Sequence, residues 1–207
     1  MPGELFPDRI ETERLVLEPL TTDHVDVFEF YEICSSDPGI EEVTEYLTWD
    51  PHETVGETLG FLESVEERIA EAEGIDYVIR PAAGEDGAGE IAGAAAILID
   101  WERRTATFGT WLRKRFWGRG YSGERAAAMM ELTFDRLDLD VVEVTHLAGN
   151  EKSHRAIEKY VDAHGGRHEG KLRNVDAFGG EPVTQHRYSV TQAEYEASGG
   201  GPGVIGD

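Results

Sequence analysis

RKRFWGRGYSGERAAAMM, residues 113–130, places four cations, Arg113, Lys114, Arg115 and Arg119, in its first seven positions. They surround a glycine pair, Gly118 and Gly120, and a helical pattern follows. Residues 118–123 match G-x-G-x-x-G, the dinucleotide fingerprint. That fingerprint sets its first Gly at the end of a strand in an early β-α-β unit. Here residues 113–117 separate the preceding strand pattern from Gly118, and the earlier strands pattern as hairpins. A P-loop is excluded because no Gly-Lys-Ser/Thr follows. Two further readings stand beside the fingerprint. One is a glycine-initiated helix with a solvated basic flank. The other is a phosphate loop, in which residues without Cβ let backbone N–H groups approach an anion, the helix turns its positive end toward it, and Arg adds charge-assisted hydrogen bonds.

The surrounding chain has 207 residues and a formal net charge of −23. That length suits one domain with a sizeable core. The charge is segregated: residues 1–102 hold 27 acids and four bases, and residues 103–207 hold 15 of each. Fifteen of the bases are Arg and four are Lys. A diffuse acidic surface poor in Lys suggests a protein kept soluble in concentrated salt, as in a halophile's cytoplasm. General nucleic-acid binding is disfavoured at this charge. No apolar run reaches the roughly 18–20 residues that span a bilayer, and the start has no basic-then-apolar signal pattern. The expectation is a soluble cytoplasmic protein. Cys34 is the one cysteine, so an internal disulfide and a multi-cysteine metal site are excluded. Its amphipathic surroundings read as a small buried residue.

Residues 11–19 alternate as a strand. Thr21, Thr22 and Asp23 offer an N-cap to a helix carrying Val25, Phe28 and Ile33. A short helical stretch carries Val43 and Leu47, and residues 48–52 read as a loop. Val55, Leu59, Leu62, Val65 and Ile69 step by three or four, an amphipathic helix. Residues 76–80, 91–99 and 105–112 read as strands, the last two as a hairpin. A long helix is expected to about Leu137, then a strand over 141–147, a helix over 151–162, and strands over 167–174 and 184–190. This order predicts one mixed α/β domain over residues 1–190. Residues 191–207 read as an acidic, Gly-rich tail, expected to be mobile.

The quoted stretch resembles the R/Q-x-x-G-x-G/A signature of the GNAT N-acetyltransferase superfamily, here Arg115-Phe116-Trp117-Gly118-Arg119-Gly120. Three more stretches resemble its Rim-type branch, which acetylates protein N-termini among other amines. They are IETERLVLEPL at 10–20, NEKS at 150–153 followed by RAIEK at 155–159, and EGKLRN at 169–174. The resemblance implies the GNAT fold, an α+β arrangement whose central, mostly antiparallel mixed sheet is flanked by helices and splays at the cofactor site. It implies acetyl-CoA as co-substrate and an amine as acceptor, favouring a protein N-terminal α-amine. Backbone amides of Trp117, Gly118, Arg119, Gly120, Tyr121 and Ser122 would hold the pyrophosphate, with Arg113 and Arg115 nearby. The pantetheine arm would run along the Trp111, Leu112 and Arg113 backbone, where the strand over 105–112 splays from that over 141–147. Asn150 and Ser153 match positions that bond the cofactor arm or the thioester sulfur.

Two departures bear on the chemistry. Many relatives carry Tyr seven residues after the motif Asn as general acid; here Ile157 stands there, and Tyr160, one turn on, is expected to pack. Ser153 is then the best acid or sulfur-side candidate. Rim-type relatives often carry Glu on the strand before the loop; the matching residue is Thr107. An α-amine, with a pKa of about 7.7–8.0, tolerates that loss better than a lysine near 10.4. Trp49 and Asp50, with His52, lie where relatives build the acceptor pocket, and surface solvation explains Asp50 equally. His146 reads as a proton relay beside the cofactor gap or as a structural histidine. Trp111 and Trp117 read as cofactor walls or as core aromatics, and Glu124 and Arg125 as surface caps or pairs. His154, His164, His168 and His186 show no metal-ligand spacing, so no metal is expected. No membrane partner is expected, and nothing chooses between a monomer and a homodimer. The rival readings are a non-catalytic acyl-CoA-binding or interaction module, a small-molecule amine acetyltransferase, and a nicotinamide-dependent oxidoreductase.

Overall fold

The computed structural model describes residues 5–178 and 180–205. The elements run β1 (Ile10–Glu11), β2 (Leu15–Pro19), α1 (Val27–Ser36), α2 (Ile40–Thr44), α3 (Val55–Ala70), β3 (Gly74–Pro81), β4 (Gly93–Asp100), β5 (Thr105–Leu112), α4 (Tyr121–Glu131), β6 (Val141–Leu147), α5 (Glu151–Ala163), β7 (Arg167–Phe178), β8 (Glu181–Thr191) and α6 (Gln192–Ser198). One sheet of order β1-β2-β3-β4-β5-β6-β8-β7 contains all eight strands of the described residues. Its neighbours are antiparallel except β5 and β6, which are parallel. A parallel pair needs a crossover, and α4 supplies it.

Strand alternation sorts the core into two layers. Ile75, Tyr77 and Ile79 of β3 pack with Met129, Met130 and Phe134 on the face covered by α4. Val78 and Ala94 point the other way, onto Phe30, Ile33 and Leu62 of α1 and α3. Cys34 lies in that second layer, where burial and Asp37 push its thiol up to about 12.

Several local expectations shift. The first strand is two, because Thr12 N–H donates to the Leu15 carbonyl at 2.9 Å and turns the chain. Asp26, not residues 21–23, caps α1, accepting from the N–H groups of Phe28 and Glu29. Phe28 is then 67% exposed rather than inward. The long helix passes into one wide turn over Leu132–Arg136. There Thr133 Oγ1 donates to the Met129 carbonyl at 2.8 Å, a side-chain bond of the kind that distorts helices. The stretch read as a mobile tail carries α6. Thr191 and Glu194 form a capping box, and Tyr195 Oη donates to Asp135 at 2.8 Å. Beyond α6, the N–H groups of Gly203 and Ile205 donate to the Glu131 carboxylate.

Candidate active site

The site begins at the quoted stretch. Gly118 and Gly120 adopt φ of +77° and +84°, left-handed values at which glycine pays no Cβ penalty. Gly120 is the N-cap of α4. The five backbone N–H groups of residues 118–122 donate to no group among the described residues. With the positive end of an 11-residue helix behind them, these donors suit a diphosphate. The loop is anchored from outside. Glu124 accepts from Thr12 Oγ1 at 2.6 Å, Arg14 N at 2.7 Å and Arg14 Nε at 2.8 Å, and Arg14 donates onward to the Arg119 carbonyl. Tyr121 Oη donates to Glu85 at 2.8 Å. Glu124 is thus a tether between the β1–β2 turn and α4, not a surface cap.

The cations answer first to the chain's own carboxylates. Arg113 pairs with Asp37, Lys114 with Glu42, Arg115 with Glu90 at 2.6 Å, and Arg119 with Asp86 at 2.7 Å. All four acids come from the acid-rich first half. The guanidinium groups of Arg113, Arg115 and Arg119 also lie 5.9, 4.8 and 5.0 Å from the ring of buried Phe116. Glu42 additionally holds Lys152, and the two ammonium groups keep its carboxyl down at about 2. Their pairing offsets the positive charge around the loop, while the backbone amides of residues 118–122 stay without an acceptor among the described residues.

Beyond the loop the sheet opens. β5 and β6 pair from Thr105↔Val141 to Phe108↔Val144 and no further. Past that vertex β5 stays on β4 to Leu112 and β6 stays on β8 to Leu147. Between them lies a cavity of about 270 Å³, lined by Ser122 and Arg125 of α4, Asn150, Ser153 and Tyr160 of α5, and His146 of β6, among others. Asn150 caps α5, its Oδ1 accepting from Ser153 N at 3.0 Å. The Ser153 hydroxyl bonds to no described group. On the β5 side, Arg113 N–H donates to Ala92 O at 2.8 Å. By alternation, Trp111 and Gly109 also turn their main-chain groups to β4, while Thr110 and Leu112 turn theirs to the gap. Of the expected Trp111, Leu112 and Arg113 edge, Leu112 alone faces the opening, and its carbonyl accepts from Trp117 Nε1 at 2.7 Å.

Neither tryptophan expected as a wall lines the cavity. Trp111 packs on Phe30 and on Trp49, with centroids 6.2 and 5.5 Å away, and Lys152 Nζ lies 4.0 Å from the Trp117 ring centroid. Trp49 and exposed Asp50 line a smaller recess of about 160 Å³ with Thr48, Ala177 and Phe178, the last three shared with the main cavity. His52 is committed to Thr58 Oγ1 at 2.7 Å. The β7–β8 hairpin, with Asp176 and Phe178, was not legible as part of the site, because its length past Asn174 brings it over the cavity. Thr107 donates to Glu143 and lies outside the cavity. Asp176 is the one carboxylate among the described lining residues.

Arg125, read as a surface residue, is 1% exposed, and Tyr160 is 3% exposed. Four histidines gather about His186, and of them His146 lines the cavity. His146 and His186 stack with centroids 5.1 Å apart, His168 Nε2 and His186 Nδ1 lie 3.0 Å apart, and His154 Nδ1 meets Tyr188 Oη at 2.8 Å. His146 Nδ1 lies 2.9 Å from the Leu147 carbonyl, and a carbonyl only accepts, so Nδ1 carries the proton. Its Nε2 is then an acceptor, buried and without a partner. Among the described residues no group of three or more His, Cys, Asp or Glu is arranged to hold a metal ion.

Burial pushes His146 and His186 below the ordinary histidine value. An unfolded chain takes up their protons near pH 6.5, whereas the folded chain resists to lower pH. Their contribution to stability is therefore complete above about 6.5 and lost as pH falls below it. The melting temperature of the protein is expected to drop roughly 2 °C more between pH 7.5 and 5.5 than that of His146→Asn. Calorimetry at fixed salt checks this, and equal drops would refute it.

The family model for the acetyltransferase (GNAT) domain matches residues 14–160, which contain the loop, the splay, α4 and most of α5. The chain belongs to the GNAT acetyltransferases. It is an acetyl-CoA-dependent N-acetyltransferase. It is 24% identical over 189 residues, 91% of this chain and 98% of the other, to an uncharacterized N-acetyltransferase, p20, of Bacillus licheniformis. The GNAT fold is shared with the microcin C7 self-immunity acetyltransferase MccE solved with acetyl-CoA and AMP (TM-score 0.77, 18% identity, 90% of this chain and 98% of that one). It is also shared with the spermidine N-acetyltransferase of Vibrio cholerae solved with CoA and spermine (TM-score 0.69, 18% identity, 89% and 99%). No helix among the described residues of this GNAT protein is long and apolar enough to cross a membrane.

Proposed function

We propose that this enzyme acetylates low-pKa primary amines, protein N-terminal α-amines foremost. Acetyl-CoA lies with its diphosphate on the N–H groups of residues 118–122 and its arm in the β5–β6 gap, against Leu112, Asn150 and Ser153. The acceptor enters from the recess formed by Trp49, Asp50 and the β7–β8 hairpin. The amine attacks the thioester carbonyl, the carbonyl oxygen carries the negative charge of the tetrahedral intermediate, and sulfur departs. His146 Nε2 accepts the proton the amine loses, and Ser153 serves the sulfur side.

The observation that carries the acceptor reading is the composition of the wall. It offers a neutral imidazole and, at the hairpin, Asp176, but no carboxylate at the vertex of the gap. An amine must already carry a useful neutral fraction to react in such a site. At pH 7 roughly one α-amine in ten is neutral, against fewer than one lysine in a thousand. The net charge of −23 further supports work in concentrated salt, where exposed charge is screened and contact-range pairs persist.

Two lysine-containing peptides of equal length would decide it, one with a free α-amine and a blocked ε-amine, the other the reverse. Spermidine is the third acceptor. In high-salt buffer with acetyl-CoA, kcat/KM is expected to be at least about tenfold higher for the free α-amine, following the difference in neutral fraction. A preference for spermidine would move the assignment to polyamines, and a preference for the ε-amine would overturn it.

A further inference from the structure

Arg125 is a buried cation without a counter-ion among the described residues. It lies one turn after Ser122 on α4, and both line the cavity. Its Nη1 meets Met129 Sδ at 3.4 Å, and its guanidinium sits 5.7 Å from the Tyr160 ring and 6.0 Å from the Phe108 ring. Among the described residues it makes no ion pair with a carboxylate, and its Nε and the neighbouring Tyr160 hydroxyl are both buried without a hydrogen bond of normal geometry. Burial lowers its affinity for a proton, with Tyr160 opposing, but a guanidinium stays charged. An apolar side chain would fill this space without the desolvation penalty. The charge therefore opposes folding unless an anion joins it.

Its position says which anion. Phe108 is the last residue of β5 paired to β6, so Arg125 sits at the vertex of the splay. A long molecule held by its diphosphate at residues 118–122 presents the far end of its arm there. Acetyl-CoA brings no charge to that end. Charge arrives during the reaction: the N–C bond forms, the C–S bond breaks, and the electron pair stays on sulfur. We propose that Arg125 is a catalytic residue whose guanidinium stabilises the coenzyme A sulfur as a thiolate when the acetyl group leaves. A group that costs stability at rest and is matched only as charge develops contributes to the barrier rather than to ground-state binding. The assignment rests on the placement of the acetyl-CoA arm argued above.

The test is the affinity of the product, read by calorimetry from pH 6.5 to 8.5 with CoA and with desulfo-CoA. A site that favours thiolate binds CoA more tightly as the thiol ionises. Wild-type affinity for CoA is expected to rise at least about tenfold over this range, while desulfo-CoA binding stays flat. In Arg125→Met the rise disappears, acetyl-CoA affinity stays within about twofold, and kcat falls by about a hundredfold. Arg125→Lys, which keeps a charge, retains part of the rise and guards against a folding artefact in the Met variant. A rise that persists in Arg125→Met, or is absent from wild type, would overturn the assignment of Arg125 and leave the cofactor placement standing. Failure of the wild type to bind either ligand would overturn the placement itself.

Discussion

Gly120→Glu is expected to leave the protein folded and to weaken acetyl-CoA binding by about a thousandfold, the scale of several kcal/mol for like charges brought together. The residue is exposed and caps α4 at a φ of +84°. A side chain there carries left-handed strain of about 1–2 kcal/mol, and its Cβ would come within 3.3 Å of Arg14 Nη2, the flexible end of a side chain that can move. The fold tolerates this. The binding site does not, because the new carboxylate lies among the five N–H groups meant for phosphate and can occupy the helix N-terminus itself. Gly120→Asn separates strain from charge: Asn tolerates left-handed backbone and should keep affinity within about tenfold. Thermal shifts with acetyl-CoA, CoA and NAD read the result, since a ligand of the native state raises the melting temperature. Wild type is expected to respond to the two CoA compounds and not to NAD. Full acetyl-CoA protection of Gly120→Glu would put the phosphates elsewhere.

The same loop shows where sequence stops informing. Its glycines, the helix after it and the strand before it are local, and each announces itself within a few residues. The partners of its cations are not local. Arg113 finds Asp37 and Lys114 finds Glu42, more than 70 positions away, and no periodicity encodes that. The splay is absent from periodicity too, because it depends on where two strands cease to pair rather than on what either contains; only the family resemblance implied it. Other features were legible and passed over. Tyr121, Arg125 and Met129 step by four, so the buried stripe of α4 placed Arg125 inside from the start. The roughly 100° between adjacent helical residues turns it away from Glu124. Thr191 and Glu194 spell a capping box three residues apart, which marks α6 inside a segment otherwise read as tail.

The splay also relies on the close approach of β4 and β5, and one residue tests it. Gly93 begins β4 opposite Leu112, at a φ of +155°. A Cβ at Gly93 would lie 2.1 Å from the Trp111 carbonyl oxygen and 2.8 Å from Leu112 Cα. Both are backbone atoms, and no side-chain rotation relieves the overlap. Gly93→Ala must displace β5 from β4 where β5 has already lost β6. A cost of about 4 kcal/mol is expected, at the severe end for one substitution. For a chain of this size that lowers the melting temperature by roughly 8–16 °C. The displaced strand would move Leu112 and the Trp117 indole bonded to it, so acetyl-CoA protection should fall as well. Gly109→Ala is the internal control. It lies on β5, past the vertex, but a Cβ there meets nothing nearer than the Ala96 methyl at 3.5 Å, an ordinary contact. Its melting temperature should stay within about 2 °C of wild type, as for a substitution worth at most about 0.5 kcal/mol. If Gly93→Ala melted as high as Gly109→Ala, β4 and β5 would not approach as closely as described. The open edge of β5 would then lose the support that holds the gap in place.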